Sequence, residues 1–479
     1  MDVQDILDKL KNKNNKDIAL ITKAFLFAQE KHKGEFRSSQ EPYFVHPWNV
    51  ACTLAEMQMD APTIAAGLLH DVCETSSEPE RQMRAKEILS SFGKEVAALV
   101  QGVTKIGTLK YRGIERYLEN MRKMFIAIAE DMRVIFIRLA DRLHNIQTLS
   151  YLPRQKQERI ARETLEVYAP LADRLGMGKL KGLLEDYAFP YVFPAEHKEI
   201  SEKIKKNIFQ KEIYLAKMKY KISEELKKAH IAVVMIDSRV KHEWSLYKKL
   251  ARHNNNFDEI YDLIAIRIIV HTVADCYGAL GIIHQLWKPL PGRIKDYIAF
   301  PKPNGYQSLH TTVFCADGEI TELQIRTLSM HEIAENGIAA HWIYTSAYKP
   351  DLHQVITQDL TWTTDMQAWK DIAAHNKNFK GFKLDIFKNR IFVLTPKGDV
   401  INLPEGSTVV DFAYHVHSKI GDQCNGAKVN HRMVSLESIL HSGDQCEILI
   451  NKKRKPSRSW LRFVTTSHAK SRIRAALKE

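Results

Sequence analysis

Tyr261-Asp262-Leu263-Ile264-Ala265-Ile266-Arg267 opens the reading, because it places one carboxylate in a run otherwise dense in β-branched residues. A buried acid of this kind costs several kcal/mol, on the order of 3–5, unless it is paired or binds a metal. A second such run, Thr321-Glu322-Leu323-Gln324-Ile325-Arg326, alternates with period two. Alternation puts Glu322, Gln324 and Arg326 on one strand face and Leu323 and Ile325 on the other. If the two strands are neighbours, Asp262 and Glu322 form a hard oxygen site suited to magnesium and substrate phosphates. Structural ion pairs are the plain alternative.

Further strands are expected at Ile231–Ile236, Ile260–Val270, Leu309–Phe314 and Glu319–Arg326, with helices at Trp244–Arg252 and Cys276–Trp287. That pattern predicts an α/β segment with a mixed sheet. Ahead of its first helix stands Ser238-Arg239-Val240-Lys241-His242, and the helix carries Ser245, Lys248 and Lys249. A strand end, a basic loop and a helix N-terminus make a triphosphate cradle; a solvated basic helix face is the alternative. Between the two acids runs Pro291-Gly292-Arg293-Ile294-Lys295-Asp296-Tyr297-Ile298-Ala299-Phe300-Pro301-Lys302-Pro303-Asn304-Gly305-Tyr306-Gln307-Ser308-Leu309-His310. Its breakers imply a shaped loop, its cations suit phosphate, and its tyrosine can stack on a purine.

Upstream the periodicity is helical, in Ile18–Gln29, Ala61–His70, Glu95–Val103, Glu119–Glu130 and Lys156–Ala172. Turn signals lie between, among them Gly34, Pro47, Gly93 and Pro153. A long charged helix is expected at about 195–229. This half holds His46, the pair His70-Asp71, and Asp141 in Leu139-Ala140-Asp141-Arg142-Leu143-His144-Asn145. Two imidazoles and two carboxylates suit manganese or iron; with 20 histidines in the chain, satisfied buried polar groups are the alternative. Residues 346–387 read as a linker. From Arg390 a compact β-rich unit begins, with the hairpin signal Pro396-Lys397-Gly398-Asp399.

The whole chain has 479 residues and a formal net charge of +13, which requires several domains and favours phosphate-bearing partners. Its six cysteines form no C-x-x-C pair, so a reducing, cytoplasmic setting is expected. No apolar run is long enough to span a membrane. From Asn451 onward there are ten Lys or Arg and one acid, Glu479.

The loop ending at His310, with the runs around Arg239, Asp262 and Glu322, closely resembles the synthetase domain of the RelA/SpoT homologues. Residues 20–195 resemble that family's HD hydrolase domain, through His46, His70-Asp71, Lys105, Arg122-Lys123-Met124, Asp141 and Thr164–Pro170. Asp411-Phe412-Ala413-Tyr414-His415-Val416-His417-Ser418-Lys419-Ile420-Gly421 resembles a TGS domain. The resemblance implies a multidomain α and α/β chain: an all-α HD-type hydrolase domain at 1–195, a mixed-sheet α/β nucleotidyltransferase-like synthetase domain at 196–345, and a β-grasp TGS domain at 388–452. Residues 453–479 would be a basic tail or the start of a helical domain. Long members continue into distal regulatory domains, which are expected to be lacking here.

The activity so implied is pyrophosphate transfer from ATP to the 3′-hydroxyl of GDP or GTP, giving (p)ppGpp. Asp262 and Glu322 would hold Mg²⁺, Glu322 also activating the hydroxyl. Arg239, Lys241, Ser245 and Lys249 would contact ATP; Lys302, Asn304, Tyr306 and His310 would hold the guanosine nucleotide, Tyr306 stacking on its base, and Lys295 would be a further nucleotide-binding residue. The implied opposing activity is removal of the 3′-pyrophosphate. His46, His70, Asp71 and Asp141 would bind Mn²⁺, Arg37, Asn145 and Thr148 would line the pocket, and Glu74 would assist catalysis. The family pattern His-Asp-x-x-Glu-Asp reads His70-Asp71-Val72-Cys73-Glu74-Thr75 here. A hydroxyl at Thr75 cannot serve as a base near neutral pH, so weakened hydrolysis is expected unless Glu78 substitutes. Arg293-Ile294-Lys295-Asp296 matches the bifunctional form of the family. His417 would contact uncharged tRNA in a ribosomal setting. Two alternatives stay open: a synthetase with an inactive HD domain, and a tRNA- and ribosome-directed binding protein with relic sites.

Overall fold

The computed structural model describes residues 1–73, 77–107, 131–252, 264–302, 304–315, 319–337, 339, 390–398, 400–441, 443–451 and 453–477. They divide into two compact units, 1–371 and 372–479. Among the described residues no helix is long and apolar enough to cross a membrane.

The first unit opens with helices α1 (Gln4–Leu7), α2 (Asn15–Lys31), α3 (Val45–Glu56), α4 (Ala61–Leu69) and α5 (Glu78–Gly107). Local chemistry sets their ends. Asn14 caps α2 by accepting from Asp17 N, and Asp60 caps α4 by accepting from Thr63 N, with Pro62 in its first turn. Gly93, flagged as a turn by sequence, kinks α5 with φ 83°, a conformation that glycine adopts without a Cβ penalty. Then come α6 (Arg133–Gln147), α7 (Arg154–Glu163), a π-helical turn at Thr164–Tyr168, α8 (Ala169–Arg174) and α9 (Gly178–Val192). Ten positions of α6 are buried, so it runs through the helical core. α10 (Pro194–Lys228) is the long charged helix, and its apolar stripe packs on the sheet that follows.

That sheet has the strand order β1 (Val233–Val240), β2 (Ile264–Val270), β6 (Ile320–Thr327), β5 (Leu309–Phe314), β3 (Lys288–Pro289), with β4 (Lys295–Asp296) also on β5. Only β2–β6 is parallel among the pairs, which makes the sheet mixed. β1 runs further than expected, so Arg239 is a strand residue and only Lys241 and His242 precede α11 (Glu243–Arg252). α12 (Val273–Leu286) starts on a Thr272/Asp275 capping box, and α13 (Leu328–Asn336) follows β6.

Register divides the sheet chemically. One face carries Ile266, Ile268, Val270, Leu323 and Ile325, which join Leu226, Leu246 and Ile283 in the core. The other aligns Asp237 and Arg239 of β1, Arg267 of β2, Glu322, Gln324 and Arg326 of β6, and His310 of β5. A sheet with one apolar and one charged face can hold charged ligands without disturbing its core.

In the second unit β7 (Arg390–Leu394) and β8 (Val400–Pro404) form the hairpin signalled by Pro396–Asp399. Helices α14 (Val409–Val416) and α15 (Ser418–Asp422) lead to the sheet β10 (Arg432–Val434), β9 (Cys424–Val429), β11 (Cys446–Ile450). Composition had marked the segment beyond 452 as a basic tail; its described part packs into this unit. Trp460, Val464, Ala469 and Ile473, the last two on α16 (Ser467–Ala476), join the core with Phe412 and Tyr414. The fully buried Asp411 anchors it, accepting from the backbone and hydroxyl of both Thr465 and Thr466.

Candidate functional site

Three helices of the helical region bring the four expected metal residues together. His46 lies on α3, His70 and Asp71 at the end of α4, and Asp141 on α6, each less than 9% exposed. His46 Nε2 is 3.4 Å from Asp71 and 3.3 Å from Asp141, and His70 Nε2 is 3.2 Å from Asp71. The donor atoms of His46, His70 and Asp141 all lie within 4.8 Å of one another, close enough for one ion.

The tautomers follow from the second layer of contacts. His70 Nδ1 donates to Gly67 O at 2.7 Å, which directs Nε2 toward Asp71. Arg37 donates to His144 Nδ1 at 3.0 Å, so that nitrogen is an acceptor, and His46 Nδ1–H shares it at 2.9 Å. His46 therefore keeps its Nε2 lone pair for the carboxylate side. Burial, then His46 and Arg37, push His144 down to about 3, so it stays neutral as this arrangement requires. Burial opposes ionisation of Asp71 and Asp141; His70 and His46 overcome it at the first, His46 and Arg138 at the second, and both carboxyls lie below their usual range. Two imidazoles and two ionised carboxylates at this spacing suit a divalent ion.

The pocket residues join this cluster. Arg37 donates to Asn145 Oδ1 at 2.8 Å and to Thr148 at 3.4 Å, and Asn145 donates to Asp141. Tyr43 donates to Asp71 and Arg138 to Asp141. His144, Tyr43 and Arg138 were not named from sequence; for His144 the signal was available, three positions after Asp141 on the buried helix face. Glu74 and Thr75 lie outside the described residues, as do Arg122, Lys123, Met124 and the side chain of Lys105. Glu78, the candidate substitute, is exposed and bound to Arg81 at 3.0 Å.

On the charged sheet face, Tyr306 O–H donates to His310 Nε2 at 2.8 Å, and His310 Nδ1–H donates to Glu322 at 2.8 Å. Gln324 donates to the same carboxylate oxygen at 3.1 Å. Burial holds the His310 imidazole below its usual range against the pull of Glu322, and burial raises the Tyr306 phenol. Lys302 stands 4.6 Å from the Tyr297 ring centre and 4.9 Å from that of Tyr306. Asp262 lies outside the described residues.

Arg239, Ser245, Lys302, Asn304 and Tyr306 line a cavity of about 170 Å³, which Lys241, Lys249 and Lys295 do not. Its opposite wall comes from the helical region: Asp173, Gly176, Lys181, Gly182 and Glu185. Two backbones meet closely here. A Cβ on Gly176 (φ 72°) would come within 2.7 Å of Asn304 O, so a side chain there would push the loop away. Carboxylates of α9 engage the expected phosphate cradle. Glu185 accepts from Ser245 at 3.4 Å and Lys248 at 2.8 Å; Asp186 accepts from His242 at 2.7 Å and from the free Trp244 N–H at the start of α11 at 3.3 Å. Neither acid was singled out from the sequence. Lys295, exposed on β4, pairs across from His310.

In the second unit, His417 is exposed and caps α15, its Nδ1 accepting from Lys419 N at 3.1 Å. His415 and His468 of α16 meet edge to face at 5.4 Å.

Comparison with known proteins assigns the regions. Residues 24–178 match an HD domain, 238–349 the region found in RelA / SpoT proteins, and 391–450 a TGS domain. A guanosine-3′,5′-bis(diphosphate) 3′-pyrophosphohydrolase from Aquifex aeolicus is 43% identical over the whole chain, which spans 67% of that relative. The chain belongs to the RelA/SpoT family. A GTP pyrophosphokinase from Myxococcus xanthus is 44% identical over 97% of this RelA/SpoT chain and 61% of the relative. A bifunctional (p)ppGpp synthase/hydrolase RelA from Mycobacterium tuberculosis is 43% identical over 96% of the chain and 62% of the relative. This RelA/SpoT chain thus spans 61–67% of the length of these three relatives.

Proposed function

We propose that this RelA/SpoT protein both makes and breaks (p)ppGpp. Synthesis moves the β,γ-pyrophosphate of ATP to the 3′-oxygen of GDP or GTP. The acceptor oxygen bonds to the β-phosphorus, the bond from that phosphorus to the α–β bridging oxygen breaks, and AMP leaves. The observation that carries the reading is the hydrogen-bonded line Tyr306–His310–Glu322, running from the loop before β5 across to β6 at the edge of a cation-lined cavity, which supports a guanine platform beside a carboxylate base.

In this reading Glu322 takes the 3′-hydroxyl proton, and His310 orients its carboxylate through Nδ1–H. Arg239, Lys241, Ser245 and Lys249 neutralise and align the triphosphate; Lys295, Lys302 and Asn304 hold the acceptor. Asp262 with Glu322 would hold Mg²⁺, which neutralises phosphate charge. Incubation with ATP, GDP and Mg²⁺ tests the proposal: ppGpp and AMP should form in equal amounts. No ppGpp would leave the alternative, a binding protein with relic sites.

For hydrolysis, His46, His70, Asp71 and Asp141 would hold Mn²⁺, whose Lewis acidity raises the reactivity of a bound water. Around it Arg37, Asn145 and Thr148 would bind the nucleotide, and Glu74 would orient the attacking water. Thr75 supplies no base, so pyrophosphate release from ppGpp with Mn²⁺ should be slow and Thr75→Asp should raise it. Complete absence of release from both forms would leave a synthetase alone.

A separate reading concerns the second unit. His417 projects from a small rigid module whose packed segment 453–477 carries eight Lys or Arg and no acid. Uncharged tRNA, in a cytoplasmic, ribosomal setting, is the partner this chemistry fits. Binding should weaken steeply with salt and with His417→Ala; a flat salt response of tRNA binding would discard it.

A further inference from the structure

Arg326 is an anomaly on the charged face. Alternation puts it beside Glu322 and Gln324, yet it is 0% exposed, the largest fully buried side chain in the described residues. Its NH2 donates to His331 Nδ1 at 2.8 Å and to Glu335 at 3.2 Å. Its Nε and NH1 have no hydrogen-bond partner among the described residues. Glu335 is itself shared with Arg267, which also grips Asp237 through two nitrogens. A guanidinium buried with two donors unsatisfied needs some other compensation.

The Tyr306 ring is what the described residues offer. The guanidinium carbon of Arg326 lies 5.9 Å from the ring centre, within reach of the negative face of the π-system. Lys302 approaches the same ring at 4.9 Å but lines the cavity with it, whereas Arg326 does not. The two cations therefore differ in kind. Lys302 sits on the side open to ligand and is free to turn to a phosphate. Arg326 is fixed by Glu335 and His331 away from the cavity wall, on a strand whose register with β2 is set.

We infer that Arg326 is a positioning residue for the acceptor nucleotide: it holds Tyr306 at the angle from which the ring stacks on the guanine. The inference rests on the proposed stacking role of Tyr306. Because the guanidinium lies over the ring and does not line the cavity, its loss should loosen the base platform while the triphosphate cradle, built on β1 and α11, stays as it was.

Steady-state synthesis by the full chain, with GDP and ATP varied separately, tests this. Arg326→Met should raise KM for GDP about tenfold, equivalent to about 1.4 kcal/mol, with KM for ATP within about twofold and kcat within about threefold. Arg326→Lys keeps a cation near the ring and should keep KM for GDP within about threefold; it decides the matter if the Met variant does not fold. In Tyr306→Ala the ring is gone, so adding Arg326→Met should bring no further rise in KM for GDP. A parallel rise in both KM values, an unchanged KM for GDP in Arg326→Met, a tenfold rise in Arg326→Lys, or a further rise in the double variant would each overturn the inference. If Tyr306→Ala alone leaves KM for GDP unchanged, the stacking reading fails and the role of Arg326 with it. If Tyr306→Ala raises it and Arg326→Met does not, only the role of Arg326 falls.

Discussion

The two candidate centres are built on opposite principles. In the helical region, His46, His70, Asp71 and Asp141 are buried and held by a second layer of donors, so their ionisation and tautomers suit an ion in advance. On the sheet, the groups are spread over one open face, and part of the phosphate cradle is engaged by Glu185 and Asp186 of α9. Removing one member of a pre-formed donor set leaves nothing to replace it. Altering an open face changes what competes for it. The largest expected effect therefore lies in the helical region: His46→Ala should cut ppGpp hydrolysis roughly a thousandfold. Synthesis should stay within a few-fold, assayed on the same preparation. Equal loss of both activities would show that the centres are not separable.

His310 sharpens the comparison from the other side. It ties Tyr306 to the Glu322 carboxylate, at 2.8 Å to each. His310→Ala should lower kcat for synthesis roughly 10- to 100-fold, the usual range for losing a group that orients another, and leave hydrolysis as it was. A smaller effect belongs to the engaged cradle. Glu185→Gln removes the charge that holds Lys248 and weakens the hold on Ser245, so KM for ATP should fall about two- to fivefold, a modest effect because Lys248 is largely exposed. An unchanged KM would mean that α9 and the triphosphate use different donors.

How much of this the sequence made legible follows the same division. Spacing along single elements was readable: His70 beside Asp71, Asp141 four residues before Asn145, and the Glu322/Gln324 alternation each fix a face. The capped helix starts, the Gly93 break and the hairpin at 396–399 were also local signals. Partners contributed by distant elements were not readable. Periodicity says that Glu185 and Asp186 share a polar surface of α9; it does not say that Ser245 and His242 face it. Alternation put Arg326 on the charged face, but its complete burial depends on α13 and Tyr306 packing over it. Composition marked 453–479 as basic, while its packing depends on Asp411 meeting Thr465 and Thr466, far along the chain. Nor did the sequence show that α9 and the turn before it would line the cavity beside Tyr306.

The smallest effect tests whether the sheet face carries its own sensitivity to acid. His331 holds Arg326 at the rim of that face. Burial, reinforced by Arg326 and Arg267, pushes its imidazole from 6.5 down to about 4. Below pH 6.5 the unfolded chain binds a proton there that the folded chain refuses, so the stabilisation is complete above 6.5 and is lost as pH falls through about 4. Between pH 7 and pH 5 this group should cost the first unit on the order of 1–2 kcal/mol. Glu335 also contacts Arg326 and would still anchor it without the imidazole. His331→Gln keeps a polar partner for the guanidinium and removes the titration, so its thermal midpoint should fall less than that of the unaltered chain over the same pH step. An identical fall in both would place the acid sensitivity elsewhere, and the buried helical centre, with its neutral His144, would be the next region to examine.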